Sequence, residues 1–241
     1  MKKASIFVLC AILAVLVILA FRPDGNALIR IVESRCDLQA GSPKVAEPCL
    51  KADPAGGYVI LRDRKGPRHY LLLPTQPLPG IESALLLDPS TPNYFRLAWE
   101  NRHLLSDEAK NVPDTDVLLA VNSRFGRSQN RLHVHISCIS PEVRSRLDLA
   151  GHDSNAWQPV RGGLLSNAYW VRRVEQRVLY EKSAFRLLAD DFPVSADEMG
   201  QFSLAMTKAR NGDFLLLATR VSLADLNLAS SGELQDHRCG S

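Results

Sequence analysis

The chain has little net charge and no concentrated block of basic residues. Its 29 lysines and arginines nearly balance 26 acidic residues, giving a formal net charge of +3. Only 7% of the residues are aromatic, and no stretch interleaves them with basic side chains as nucleic-acid-binding surfaces do. We therefore expect no nucleic acid among its partners. The 241 residues, 46% of them hydrophobic, are enough for a sizeable core.

The sequence also lacks the common zinc signatures and a low-complexity linker. No H-x-H-x-D-H pattern and no H-E-x-x-H helix occurs, and Asp148 and Asp153 lie at no diagnostic spacing from the histidines. A zinc site built on the paired histidines described below is thus a weak interpretation, and we expect no metal or other cofactor. Because no linker divides the body, we treat residues 26–241 as one domain, with an additional α+β half from about residue 157.

The N-terminus lacks a good small-x-small cleavage site. Lys2 and Lys3 precede an apolar run of 18 residues from Ala4 to Phe21. As a helix this run reaches about 27 Å, just enough for a thin hydrocarbon core. A cleaved signal peptide is the competing interpretation, but the missing site favours an uncleaved transmembrane anchor within residues 1–25. With the two lysines in the cytoplasm, we expect a single-pass protein of the bacterial inner membrane whose C-terminal domain is periplasmic.

The cysteines fit an oxidising compartment. Cys10 lies in the apolar run, and four others remain for the body: Cys36, Cys49, Cys138 and Cys239. Three pairings are possible. Cys36 with Cys49 is the local choice, which leaves Cys138 to pair with Cys239. The alternative is a buried free thiol at Cys138.

Hydrophobic periodicity and turn residues predict a series of strands and helices. In chain order they are a helix from Asn26, a loop over 41–57, a hairpin of 58–62 with 69–73, a helix over 93–110 capped at Thr91, a strand over 117–121, the histidine strand up to about 139, a helix from Ser140 to about 151, a strand over 169–174, a helix over 184–190, and a hairpin of 202–208 with 214–219.

The most informative pattern lies in residues 131–139. Strand side chains alternate between two faces, so an apolar set can enter the core while a polar set lines the opposite face. The apolar set is Leu132, Val134, Ile136 and Cys138, and the polar set is Arg131, His133, His135 and Ser137. Two imidazoles on one rigid strand suit nucleophilic attack at phosphorus. We expect His135 to attack and His133 to orient it or the phosphate.

The loop before this strand is rich in hydrogen-bond donors. We expect Asn122, Ser123, Arg127 and Gln129, joined by Ser137, to bind a pyrophosphate and to neutralise its charge without a metal.

The other histidines weaken the rival arrangements. We assign structural roles to His69, His103 and His152 and leave His237 unassigned. A two-histidine phosphodiesterase needs two H-x-Ser/Thr motifs on strands. His135-Ile136-Ser137 fits one, but His152-Asp153-Ser154 lies in a polar stretch, which argues against that class.

The histidine strand resembles that of the histidine triad superfamily, in which three alternating histidines follow a glutamine four residues before the first. Gln129 stands at that spacing, and Ser137 occupies the third histidine's position. Over nearly the whole chain the sequence resembles the CDP-diacylglycerol pyrophosphatases. The segments that carry this resemblance are Gly56-Gly57-Tyr58-Val59, Leu72-Leu73-Pro74-Thr75, Asp88-Pro89-Ser90-Thr91-Pro92-Asn93, Asn122-Ser123-Arg124, the histidine strand, and Gln235-Asp236-His237.

The resemblance implies an α+β fold, namely a histidine-triad-like (HIT-like) antiparallel sheet with packed helices, preceded by the one transmembrane helix. It implies hydrolysis of the pyrophosphate bond of CDP-diacylglycerol to CMP and phosphatidate, with His135 as the middle, nucleophilic histidine. A membrane-anchored enzyme would meet this diacyl substrate in the bilayer. Two alternatives stay open: a periplasmic hydrolase of soluble nucleotide pyrophosphates, and a non-enzymatic lipid- or nucleotide-binding membrane protein. The sequence predicts no oligomeric state.

Overall fold

A computed structural model describes residues 24–36, 38, 45–150, 154–191 and 196–240. The predicted membrane span over residues 4–21 lies outside these described residues. The predicted domain boundary at residue 25 stays a prediction.

The described residues form one sheet in which every pair of strands is antiparallel. The strands are β1 (Cys49–Asp53), β2 (Tyr58–Arg62), β3 (Tyr70–Pro74), β4 (Val117–Val121), β5 (Val134–Ile139), β6 (Gln158–Pro159), β7 (Trp170–Val174), β8 (Phe202–Lys208), β9 (Phe214–Arg220) and β10 (Gln235–Asp236). Their order is β1-β2-β3-β5-β4-β8-β9-β7-β6, and β10 pairs with the end of β5. The histidine strand is therefore central, and the sheet continues from it into both halves of the chain.

The helices are few and short. The α-helices among the described residues are α1 (Ala27–Arg35), α2 (Tyr94–Glu100), α3 (Pro141–Ala150), α4 (Gln176–Glu181), α5 (Ala184–Asp191) and α6 (Ala196–Met199). The 3-10 helices are Ala84–Leu87, Arg102–Leu105, Asp114–Asp116 and Ser231–Leu234.

The predicted fold class needs a correction. The structure is mostly antiparallel sheet with few helices, and no helix within the described ranges has both the length and the apolar character to cross a membrane. The 10 residues of α3 extend only about 15 Å, roughly half of a hydrocarbon core. The described residues therefore give no support to the predicted transmembrane helix or to membrane anchoring, and the run over residues 4–21 lies outside them.

The two faces of the sheet are buried differently. One face carries a large continuous cluster that includes Val134, Ile136 and Cys138 of β5 and is covered by α2 and α5. On the other face, one cluster lies under α1 beside β2 and β3, and a second lies under α3 beside β4, β8 and β9. His133 and His135 lie between those two clusters, because their side chains alternate with the apolar ones of β5.

Both predicted disulfides are confirmed. Cys36 is bonded to Cys49, which ties the end of α1 to β1. Cys138 is bonded to Cys239 across 101 residues of sequence, which ties the C-terminal segment to β5.

Two predicted elements differ from the structure. Strand β1 occupies part of the predicted loop over 41–57, because it pairs with β2. The predicted helix over 93–110 ends at Glu100, and its N-cap is Asn93 rather than Thr91, with the Asn93 side chain accepting a hydrogen bond from the Arg96 amide. Asn101 follows the helix, and its side chain turns inward to donate hydrogen bonds to the Tyr58 hydroxyl and to the Leu97 carbonyl.

Candidate active site

His135 lies on the face of β5 opposite the continuous core, as the alternation predicts, and His133 directly precedes the strand. Their side chains are buried, with only 7% and 6% of their surface exposed. The two rings meet edge to face, with centroids 4.7 Å apart. Nδ1 of His133 donates a hydrogen bond to the Arg131 carbonyl at 2.7 Å, which fixes its ring. His133 is thus positioned beside His135 by the backbone.

The Nδ1 atom of His135 forms a hydrogen bond with another histidine. His69, at the start of β3, places its Nε2 atom 2.9 Å from Nδ1 of His135. On the other side of His69, Oδ2 of Asp63 lies 3.3 Å from Nδ1. That contact has ion-pair distance but not hydrogen-bond geometry, so Nδ1 of His69 has no hydrogen-bond partner. Asp63, His69 and His135 form a row that begins at a carboxylate.

The far nitrogen of His135, Nε2, faces the amide of Asn122 at 3.5 Å. Oδ1 of Asn122 accepts hydrogen bonds from the Gly232 amide at 3.0 Å and the Ser230 hydroxyl at 3.2 Å. Its Nδ2 group, a donor, is therefore the one turned toward His135. The C-terminal segment thus fixes which end of the amide faces the site.

These contacts assign the tautomers of the row. The negative charge of Asp63 favours a proton on Nδ1 of His69, which makes Nε2 of His69 an acceptor. Nδ1 of His135 must then carry a proton, and Nε2 of His135 has a free lone pair. The contact with Asn122 indicates the same tautomer, because the Nδ2 group of Asn122 is a donor and Nε2 of His135 must then be an acceptor. The lone pair on Nε2 of His135 therefore faces an amide donor.

The electrostatics keep these rings neutral. Burial lowers the pKa of His69 from 6.5 to about 3, although the charge of Asp63 raises it. Burial also lowers the pKa of His133 and holds that of His135 well below 6.5, with neighbouring histidines adding to the effect on His135. A neutral imidazole retains the lone pair that nucleophilic attack requires.

His237 joins the group from the C-terminal segment. Its ring stacks on His69 with centroids 4.0 Å apart. Its backbone carbonyl accepts a hydrogen bond from the Arg68 amide. A Cβ atom at Gly66, where φ is +152°, would come within 2.7 Å of that carbonyl oxygen, so this position favours glycine. The Cys138–Cys239 disulfide, two residues beyond His237, therefore holds a fourth histidine at the site.

The structure gives the other predicted pyrophosphate ligands local partners. The Ser123 hydroxyl donates to the Leu228 carbonyl and is fully buried. Arg127 forms an ion pair of 2.6 Å with Glu82. Gln129 accepts from the Leu28 amide and donates to the Asp24 carbonyl, so it attaches α1 to the loop. The Ser137 hydroxyl contacts the carbonyls of Arg68 and Asp236. Their predicted substrate roles stay predictions, and of the five only Asn122 has its donor facing His135.

A cavity of about 410 Å³ opens at the two histidines. One part of its wall is apolar and comes from α1, β2 and β3, and the other part is polar and comes from the turn between β2 and β3. The lining residues are Ala27, Leu28, Ile31, Pro48, Leu61, Arg62, Asp63, Arg64, Lys65, Leu71, Ser128, Gln129, His133 and His135. Larger pockets exist elsewhere in the described residues, but this one contains His135 and so concerns the chemistry.

A metal could be held by the same row. Asp63, His69 and His135 each offer a ligand atom, and these atoms lie within 4.8 Å of one another. However, the two imidazole nitrogens of His69 and His135 are 2.9 Å apart, a hydrogen-bond distance. Nitrogen ligands of one tetrahedral zinc ion lie about 3.3 Å apart. The geometry therefore favours a shared proton over a shared metal.

Sequence reasoning missed Asp63 and His69, and it assigned a structural role to His69. Both residues flank the turn of the predicted β2–β3 hairpin, which places them side by side at one end of two paired strands. The Asp63 amide indeed donates to the His69 carbonyl. The missing step was the pairing of β3 with β5, in which Leu71 lies opposite His135. The sequence signal that could have identified these two residues is a hairpin whose turn is flanked by a carboxylate and an imidazole.

The fold and site together combine a buried, neutral histidine cluster with a partly cationic cavity, which is the kind of site that enzymes use for nucleophilic chemistry. Comparison with known proteins identifies the chain as a hydrolase. A family model for CDP-diacylglycerol pyrophosphatase matches residues 23–241. A CDP-diacylglycerol pyrophosphatase from Yersinia pestis is 42% identical over 220 residues, which cover 90% of this chain and 84% of the relative. The chain belongs to the CDP-diacylglycerol pyrophosphatase family, a family of hydrolases, as its sequence predicted. Membership of the histidine triad superfamily stays a prediction.

Proposed function

We propose that this protein hydrolyses the pyrophosphate bond of CDP-diacylglycerol to CMP and phosphatidate through a covalent nucleotidyl-histidine intermediate. Membership of the family supports the reaction. The observation that supports the mechanism is the arrangement of His135, whose Nδ1 atom contacts His69 while its Nε2 atom faces Asn122.

In the first step, Nε2 of His135 attacks the phosphorus on the cytidine side. The bond between nitrogen and phosphorus forms as the bond to the bridging oxygen breaks, and the electron pair leaves with that oxygen as phosphatidate. The attacking ring becomes cationic. Its Nδ1 proton is shared with Nε2 of His69, and the carboxylate of Asp63 offsets the positive charge.

In the second step, water attacks the same phosphorus, and the bond to Nε2 breaks to release CMP. The proton from water leaves to solvent, and His135 returns to its neutral tautomer. The Asn122 amide, fixed through its oxygen, is placed to donate to a phosphoryl oxygen in both transition states. Phosphatidate is a stable phosphate monoester, so its departure makes little demand for a general acid.

The test is His135→Asn, assayed on CDP-diacylglycerol with and without a metal chelator. Removal of a nucleophile lowers kcat by at least about 10³-fold. His103→Asn is the matched control, because His103 is exposed, forms its hydrogen bond with a nearby backbone carbonyl and lines a different pocket. Near-normal activity of His135→Asn would remove the proposed nucleophile, whereas loss of wild-type activity in the chelator would favour a metal held by Asp63, His69 and His135.

We further propose an oxidising location, such as the bacterial periplasm. The two disulfides support it, because such bonds persist outside reducing compartments. Fractionation of cells that express the full chain, followed by thiol labelling, tests it. Recovery of the enzyme in the cytoplasmic fraction with four reactive thiols in its body would contradict the proposal.

A further inference from the structure

The cavity at His135 has a cationic wall that the mechanism above does not use. We call residues 62–68, which comprise the last residue of β2 and most of the turn that leads to β3, the hairpin tip. Arg62, Arg64 and Lys65 of this tip are exposed, and all three line the same cavity as His133 and His135. Asp63 lies between them, so the cavity portion of the tip has a net charge of +2.

These three cations are not paired with carboxylates. Within the described part of the chain, neither Arg62, Arg64 nor Lys65 makes an ion pair, although Arg62 lies over the ring of Tyr70. Arg127, the cation that the sequence singled out, is paired with Glu82 instead. Positive charge that is free to meet an anion in this cavity therefore comes from the tip rather than from the predicted loop.

Lys65 has the widest electrostatic effect on the histidines. Its charge contributes to lowering the pKa of His69, His133, His135 and His237. The same field favours negative charge in the part of the cavity that lies close to Lys65.

We infer that Lys65, with Arg62 and Arg64 beside it, forms a subsite for the second phosphate of the substrate, the one that leaves as a phosphate monoester. This inference rests on the proposed function. The diester of a pyrophosphate carries two negative charges, which match the net charge of the tip. As the anhydride bond breaks, the departing phosphate gains a further negative charge. A cation beside it therefore stabilises the transition state more than the bound substrate and raises kcat.

The subsite makes Lys65 important only for substrates that have a second phosphate. The test compares CDP-diacylglycerol with the p-nitrophenyl ester of CMP, which presents the same cytidine-side phosphorus but no second phosphate. We expect Lys65→Gln to lower kcat/KM for CDP-diacylglycerol by about 10-fold to 100-fold and to change that for the ester by less than about threefold. Lys65→Arg, which keeps the charge, should retain most of the activity.

Arg238→Gln is the matched control, because Arg238 is exposed and lies near the tip but lines a different pocket. Its removal should leave both rates unchanged. Equal losses on the two substrates in Lys65→Gln, or no loss on CDP-diacylglycerol, would overturn the subsite. A wild-type enzyme that fails to hydrolyse CDP-diacylglycerol, or an active His135→Asn, would instead overturn the proposed function.

Product inhibition gives a second measurement that does not require turnover of the ester. Glycerol 3-phosphate represents the departing phosphate monoester, and CMP represents the other product. In Lys65→Gln we expect the inhibition constant of glycerol 3-phosphate to rise by about tenfold while that of CMP stays within about twofold. A parallel rise in both constants, or in neither, would contradict a subsite for the second phosphate.

Discussion

Strand β5 presents two faces that are both buried but differ in what they contact. On one face, Val134 and Ile136 belong to an apolar cluster that continues across the sheet. On the other face, His133 and His135 separate two smaller apolar clusters, one under α1 and one under α3. The apolar face maximises buried hydrocarbon, whereas the histidine face interrupts it with polar groups.

The difference teaches how a fold can hold a neutral nucleophile. The apolar clusters pack on both sides of the histidines, and burial lowers the pKa of His135 so that its ring stays neutral. The row from Asp63 through His69 then assigns the tautomer. We expect changes on the apolar face to act on stability and changes on the histidine face to act on catalysis.

The largest effect should follow from removing the bond between the C-terminal segment and the apolar face. Cys138→Ala together with Cys239→Ala opens a loop of 101 residues, which lowers the free energy of unfolding by about 4 to 5 kcal/mol. The control, Cys36→Ala with Cys49→Ala, opens a loop of 13 residues and costs about 3 kcal/mol. Urea titration under non-reducing conditions measures both. Equal losses would show that loop length does not govern these disulfides.

The next effect separates the two faces directly. Ile136→Ala creates a cavity in the continuous core and should lower the free energy of unfolding by about 2 to 5 kcal/mol. His135→Asn, one residue earlier on the opposite face, removes less buried hydrocarbon and leaves one buried nitrogen of His69 unpaired, so it should lower this free energy by a smaller amount, about 1 to 2 kcal/mol, while abolishing activity. Denaturant midpoints and rates on folded protein test both. A destabilisation by His135→Asn as large as that by Ile136→Ala would contradict the division between the faces.

A smaller effect should follow from changing the carboxylate at the start of the row. Asp63→Asn removes the charge that favours a proton on Nδ1 of His69, so we expect kcat to fall by about 10-fold to 100-fold with little change in KM. Asp63→Glu should recover part of kcat, because it restores the charge. A loss confined to KM would assign Asp63 to substrate binding rather than to positioning the row.

The last effect is a pH dependence of stability from the histidine face, and at neutral pH it is the smallest of the four. The folded pKa of His69 is about 3, below the unfolded value of 6.5, so the unfolded chain takes up this proton first as pH falls. The stabilising contribution is therefore intact above pH 6.5 and is lost as pH falls toward 3. His69→Gln should flatten this part of a plot of unfolding free energy against pH. An unchanged slope in that variant would mean that His69 does not titrate differently on folding.

The sequence correctly predicted which side chains of β5 lie on each face. The alternation over residues 131–139 placed Ile136 and His135 on the correct faces, because the period of two is a property of a single strand. The β2–β3 and β8–β9 hairpins were likewise predicted from local turns. Contacts between distant strands were not predictable in this way, and β1 was missed because its residues become a strand only by pairing with β2.

The same limit applies to what could be predicted at the site. His69 contacts His135 across 66 residues of sequence, through a pairing of β3 with β5 that no local pattern encodes. Ser123 and Gln129 were predicted as substrate ligands from their chemistry alone. Single-sequence patterns do not reveal that nearby backbone groups occupy their side chains. Polar character predicts that a side chain needs a partner, but it does not identify the partner.

The most direct test of the account is the stereochemical course at the cytidine-side phosphorus. The substrate is CDP-diacylglycerol that carries sulfur in one configuration at this atom, and hydrolysis takes place in water enriched in oxygen-18. Attack by Nε2 of His135 followed by attack by water inverts the phosphorus twice, so the account predicts CMP phosphorothioate with retained configuration. Inversion would show that water attacks directly, and it would contradict a covalent intermediate on His135.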